Sequence, residues 1–127
     1  MKLPYVISIS ILAGGLTGAA TVQTIHAQAK APAYVVSEVE ISDPASYKIY
    51  GERQGKLIAS FGGRFVARGG NTEALAGQPP TPKATIFTFE SMDKLRAWHN
   101  APEQKELDVI RDAASKYRAY AVEGLAN

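Results

Sequence analysis

An α+β sandwich, a four-stranded antiparallel sheet with two helices on one face, is the fold class this 127-residue sequence predicts. Three observations carry it. Short β-branched runs alternate with stretches of helical spacing in the order strand, helix, strand, strand, helix, strand. Each helical stretch opens on a recognisable start signal. The length leaves room for one domain and no second.

The first strand is read over residues 33–40 (AYVVSEVE), rich in Val and with polar residues alternating near its end. Asp43 can accept from the free amides of a first helical turn, and Pro44 suits the first helical position. Tyr47, Tyr50, Gln54, Leu57, Ile58 and Phe61 come next at spacings of three and four, the pattern of one helix face, until Gly62-Gly63 ends it. Gly51 and Gly55 lie inside that helix, each at a cost of about 1 kcal/mol relative to Ala. Close packing against a neighbour or a loose helix would each account for them.

Residues 63–68 (GRFVAR) form the second strand, and residues 69–82 a connection long enough to need a task of its own, as a lid or a hairpin arm. Within such an arm, residues 72–75 read as a short strand. Residues 84–90 (ATIFTFE) are the third main strand. Ser91 caps a short helix through Trp98, the Asn100-Ala101-Pro102 step interrupts it, and Pro102 starts a further segment to about Ser115. Residues 118–122 close the sheet. This βαββαβ order predicts a ferredoxin-like sandwich.

Strand alternation sorts the side chains. Val35, Val39, Phe65, Phe87 and Phe89 share the parity expected to face the helices. Tyr34, Val36, Glu38, Arg64, Val66, Arg68, Ile86, Thr88 and Glu90 share the other. Tyr34, Val36, Val66 and Ile86 would then form an apolar patch, which a partner sheet, and hence a homodimer, would cover.

Residues 1–29 read as an address. Lys2 is the one charge before Lys30, an apolar run centres on Val6–Ala13, and Ala27-Gln28-Ala29 has the small-x-small form of a signal-peptidase site. The expectation is cleavage after Ala29, leaving residues 30–127 as a periplasmic or secreted domain without a membrane segment. The competing reading, a retained anchor, is weakened by Gly14, Gly15, Gly18, Gln23 and His26. The absence of cysteine suits an oxidising compartment and excludes disulfides, a thiolate nucleophile and Cys-ligated metal. A net charge of +2, from 14 Lys+Arg against 12 Asp+Glu with no long like-charge block, argues against a nucleic-acid partner.

Several motifs together resemble domain-of-unknown-function family 1330. They are Ala33-Tyr34, Ser42-Asp43-Pro44 with Tyr47 and Tyr50, Gly62-Gly63-Arg64-Phe65, and Arg68-Gly69-Gly70. Phe89-Glu90-Ser91, Arg96-Ala97-Trp98, Ala101-Pro102-Glu103 and Val122-Glu123-Gly124 complete the set, which spans residues 33–125. His99 stands where the family pattern would place a tyrosine. The resemblance implies the dimeric α/β-barrel superfamily, in which two ferredoxin-like sheets pair face to face. That superfamily includes cofactor-free monooxygenases, isomerases, haem-degrading enzymes and peroxidases beside domains that only bind ligands, so the resemblance carries a fold and no activity.

The ligand-facing set read from alternation is Tyr34, Glu38, Arg64, Arg68 and Thr88, in which Glu38 with Arg64 and Arg68 would either offer an anion-binding end or form an interface ion pair or a solvated rim. Glu38 and His99 are the candidate proton acceptors; His99 could equally be a surface or capping residue, and Trp98 reads as core. Once the leader is removed His99 is the one histidine, with no Cys or second His to complete a zinc site; apart from the reading of His99 as an axial haem ligand, no metal and no cofactor are expected. Ser60 and Ser91 lack a base in a recognisable setting, and Gly69-Gly70 has no helix after it to make a phosphate loop. The function expected is binding of a small, partly apolar molecule between paired sheets. A cofactor-independent oxygenase or isomerase using Glu38 or His99, and an interaction module whose sheet serves dimerisation alone, are the other readings. Protein recovered from the periplasm or medium is expected to have the intact mass of a chain beginning at Lys30; full-length chain in the membrane fraction would refute the leader.

Overall fold

Residues 30–126 are described by the computed structural model, and the leader expected over residues 1–29 lies outside them. The elements run β1 (Ala33–Ile41), α1 (Pro44–Ser60), β2 (Arg64–Asn71), β3 (Lys83–Phe89), α2 (Met92–His99), α3 (Pro102–Ala114) and β4 (Ser115–Glu123). The strands make one antiparallel sheet in the order β2-β3-β1-β4, so the two central strands are the two most apolar runs. Helices cover one face, with α1 and α3 packed on each other. Among the described residues no helix is long and apolar enough to cross a membrane.

Local chemistry accounts for the boundaries. The Asp43 carboxylate accepts from the Ser46 amide (3.3 Å) and hydroxyl (2.7 Å), and Pro44 opens α1. Ser91 accepts from the Lys94 amide (3.3 Å) to start α2. Pro102 starts α3 without any side-chain cap. At the other end of α3 the expected linker to the last strand is missing: β4 begins at Ser115, directly after the helix. The Ala114 carbonyl is satisfied from outside, accepting from the Ser42 and Asp43 amides at 2.9 and 3.1 Å, so the chain can leave the helix at once.

The connection after β2 also differs from expectation. β2 extends to Asn71, and residues 72–75 form no strand. The arm is closed at its base instead, where Thr72 donates its amide to Pro82 (3.3 Å) and its hydroxyl to Thr81 (2.6 Å).

The core lies between sheet and helices. Trp98 stacks on Phe89 (5.5 Å between centroids) and meets Phe87 edge-on (5.1 Å), with Phe65 against Phe87 (5.8 Å). Such contacts contribute about 0.5–1.5 kcal/mol each beyond area burial. Trp98 is thus the anchor of α2 that its place in the sequence suggests. Gly63 is fixed by this core, because a Cβ there would lie 2.6 Å from Ile58 Cγ2 and 2.7 Å from Phe89 Cε1. Gly51 has open space around the same position. Urea titration is expected to show Gly63→Ala losing about 1–3 kcal/mol. Gly51→Ala is expected to gain about 0.5–1 kcal/mol with an unchanged m-value; equal effects at the two positions would contradict this packing.

Candidate functional site

The two faces of the sheet carry different chemistry. On the outer face, pairing sets Tyr34 beside Thr88, Thr88 beside Arg64, Val36 between Ile86 and Tyr120, and Glu38 beside Arg118. Four of the five ligand-facing residues read from alternation are therefore on this face, at its two ends. Tyr34, Arg64 and Thr88 share one row, while Glu38 is four residues further along β1, or roughly 13 Å.

Two of them are occupied by structural bonds. The Thr88 hydroxyl donates to the Ala33 carbonyl (2.9 Å). Glu38 accepts from the Thr81 amide (3.1 Å) and from the Arg118 guanidinium. The Arg118 hydrogen bond, aided by the Thr81 amide, holds the Glu38 carboxyl below the usual carboxylate range, which makes it a poor proton acceptor. Around this pair an open trough of about 710 Å³ runs between β1, β4 and the arm, bordered by Val36, Tyr120 and Pro80.

Arg68 is on the other face. Phe65 pairs with Phe87 and Ala67 with Ile86, so Val66 is an extra residue in β2, a bulge that reverses the parity of the residues after it. Arg68 then pairs with Thr85 on the helix side, which corrects the placement read from simple alternation. Its guanidinium lies 4.2 Å above the Phe65 ring and donates to the Gly51 carbonyl of α1 (2.9 Å). A Cβ at Gly55 would come within 3.2 Å of the same guanidinium. Close approach of Arg68 therefore explains Gly55, and Gly51 contributes a carbonyl.

Arg68 borders a cavity of about 200 Å³ between the sheet and α1. Val39, Ile58, Phe65 and Phe87 give it a mostly apolar lining. Tyr47, Tyr50 and Gln54 enter from α1, and Lys83 and Thr85 from β3. Among the described residues lining it there is no Asp, Glu or His. A chain of hydrogen bonds fixes its polar wall: the Trp98 indole N–H donates to Gln54 Oε1 (3.4 Å), and Gln54 Nε2 donates to the Tyr50 hydroxyl oxygen (3.2 Å). With both ends of the Gln54 amide engaged, Tyr50 is an acceptor for Gln54 and keeps its own proton to donate. Burial, reinforced by nearby Tyr117, pushes the Tyr47 hydroxyl up to about 12 and that of Tyr50 further. Both remain donors at any physiological pH.

By spacing alone, Tyr47, Tyr50 and Gln54 read as one packing stripe. The signal for more is present in the sequence, since a polar Gln54 interrupts an otherwise apolar face beside two glycines. His99 closes α2 with its imidazole exposed, its ring 5.9 Å from that of Trp98. It belongs to the helix side and Glu38 to the outer face, so the two candidate bases do not meet. Among the described residues no group of three His, Cys, Asp or Glu is placed to hold a metal ion.

Comparison with known proteins agrees with this architecture. The chain resembles a protein of unknown function from Rhodopseudomonas palustris, RPA0582, at 19% identity and a TM-score of 0.62, over 84% of this chain and 93% of that one. It also resembles SnoaB, a cofactor-independent oxygenase from Streptomyces nogalater, at 14% identity and a TM-score of 0.56, covering 76% and 96% of the two chains. A dimeric ferredoxin-like protein of unknown function from Thermobifida fusca matches at 16% identity and a TM-score of 0.51, over 74% and 92%. At these identities the likeness is one of fold, and the fold is ferredoxin-like. No curated protein shows significant similarity. Residues 32–125 match the sequence family described as "Domain of unknown function (DUF1330)", and the chain belongs to that family.

Proposed function

We propose that this protein is an exported homodimer that binds a small apolar carboxylate in the cavity between its sheet and α1. The observation that carries the ligand class is the cavity lining, in which Arg68 and Lys83 stand among apolar walls without an acidic residue. Among the described residues no carboxylate neutralises Arg68: its partner is the Gly51 carbonyl. Lys83 Nζ likewise meets the neutral Asn71 side-chain oxygen (2.6 Å). A ligand carboxylate would supply the missing charge, and the Tyr50 hydroxyl would donate to its second oxygen. The volume suits a single ring, since a cavity of roughly 150 Å³ holds benzene. With Arg68 on the helix side, this reading moves the ligand from between paired sheets into each subunit.

The enzymatic reading is less well supported. A cofactor-independent oxygenase shares the fold, but the cavity contributes donors and no side-chain base, while Glu38 and His99 lie elsewhere. Binding needs only what is present.

The outer sheet face supports the homodimer. No element of the described chain covers it, and it presents Val36 and Ile86 with the half-exposed Tyr120 and Val122. Apolar area of this kind is normally covered in a soluble protein. The Thermobifida fusca protein of the same fold is itself described as dimeric.

Two measurements test these assignments. Benzoate is expected to bind and to raise the melting temperature, and Arg68→Ala to weaken it by roughly 10- to 100-fold, the range for losing a charge-assisted hydrogen bond. Tyr50→Phe should weaken it by roughly three- to tenfold. Unchanged affinity in Arg68→Ala, or benzoate found between two sheets, would remove this site. Light scattering should give twice the subunit mass, and Ile86→Asp should raise the dimer dissociation constant by at least about 100-fold, near 2.7 kcal/mol. A wild-type protein that is monomeric at high micromolar concentration would refute the sheet interface.

A further inference from the structure

We infer that Tyr117 sets the length of ligand the protein accepts, as the wall between the cavity beneath α1 and a second cavity behind it, given that the first is the carboxylate site proposed above. The second cavity, of about 220 Å³, lies between β4 and the α2–α3 pair, with Leu95, Trp98, Ala119 and Ala121 among its walls. Tyr117 is the one residue that lines both.

Sheet register makes the two cavities neighbours. Ser37 lines the first and pairs directly with Ala119, which lines the second. Towards the helices, Gln54 lines the first and Trp98 the second, and the indole hydrogen bond joins them (3.4 Å). The boundary is therefore closed from the helix side by the Gln54–Trp98 bond and from the sheet by the side chain of Tyr117.

The same register aims a bound ligand at this wall. Asn71, Lys83, Val39 and Tyr117 are successive partners across the four strands, one row on the helix face. Lys83 and Tyr117 are two strand spacings apart, or roughly 10 Å. A carboxylate held by Lys83 and Arg68 would lay its apolar body over Val39, its far end toward Tyr117. In the adjacent row Arg68 is followed by Thr85, Ser37 and Ala119. Those three side chains are small, so the floor sets no limit of its own and the tyrosine does.

Tyr117 is held in place from two helices. Its ring lies 4.3 Å from the Arg111 guanidinium of α3, which is itself fixed by Asp108 (2.8 Å) and Asp112 (2.9 Å). On the α1 side it is near enough to the Tyr47 and Tyr50 hydroxyls to help raise their pKa values. Moving aside for a longer ligand would forfeit the cation–π contact.

Biphenyl-4-carboxylate is the probe for length and benzoate the reference, both titrated by calorimetry. Wild-type protein should prefer benzoate by at least about tenfold, because a second ring would overpack the cavity against Tyr117. Tyr117→Ala should join the cavities and raise the affinity for the biphenyl acid by at least about tenfold, since the second ring is then buried. Tyr117→Phe should keep the wild-type preference, because the ring and not the hydroxyl is the barrier. A crystal of the Tyr117→Ala complex should show the second ring beside Ala119. Tyr117→Leu repeats the test with a smaller loss of packing if the alanine variant does not fold. Wild-type protein that fails to bind benzoate would remove the carboxylate site and the length limit with it. Benzoate binding without a gain for the biphenyl acid in the variants, equal wild-type affinity for the two acids, or a second ring placed away from Ala119 would overturn the role of Tyr117 alone.

Discussion

Pairing Phe65 with Phe87 and Ala67 with Ile86 leaves Val66 without a partner on β3, and the chemistry of the helix-side cavity depends on that extra residue. Without it, β2 would continue in strict alternation and turn Arg68 to the outer face beside Ala84. With it, Phe65 stays in the core while Arg68, three residues on, reaches the same side. A guanidinium and the ring it lies over can share a strand face at odd spacing only if one residue is bulged out. A second irregularity, between Arg68 and Gly70, shifts the register by one more residue and so returns the strand to its original parity, and Gly69 adopts a φ of +64° there, which suits glycine. Its amide is taken up by the Thr85 hydroxyl (3.0 Å).

Helix α1 is shaped around the same residue. Glycine at position 55 costs helix stability, yet any side chain there would meet the guanidinium, so the helix interior yields to the strand. Along the same helix, Gln54 and Tyr50 extend a hydrogen-bond line that begins at Trp98, the residue that also anchors α2 on Phe87 and Phe89. The aromatic core and the polar wall of the cavity thus share one side chain. The bond from Gln54 fixes the Tyr50 hydroxyl oxygen as its acceptor and leaves the hydroxyl proton to be donated.

Features are legible in the sequence where their signals are local. The caps at Asp43 and Ser91, the break before Pro102 and the helix stop at Gly62-Gly63 depend on near neighbours, and the structure keeps them. The bulge is not local: GRFVAR alternates acceptably in either register, and the choice is made by β3, about twenty residues later. Alternation therefore marks Arg68 as an anion-binding residue but sets it on the wrong face. Tyr34, Arg64 and Thr88 precede the bulge or lie on β3, and their shared row is readable from parity. Glu38 is legible as an outer-face acid but not as one already engaged, because its partners Thr81 and Arg118 are distant in sequence. Tyr50 and Gln54 are hidden by the reverse problem, a helical spacing that packing alone already explains.

The distribution of counter-charges gives the two surfaces their different meaning. Arg53 meets Glu103 and Glu106, Arg96 meets Asp93, Arg111 meets Asp108 and Asp112, and Arg118 meets Glu38. The exposed pairs among these add little stability individually, but each pair offsets the charge of its cation. Arg68 and Lys83 are arranged otherwise. Each is held by a neutral oxygen, which fixes the direction of the side chain without cancelling its charge. Positioned but not neutralised, beside a tyrosine that stays protonated, the two cations are what the proposed anion site beneath α1 rests on, while the outer face, where Glu38 and Arg118 cancel, offers shape and apolar contact.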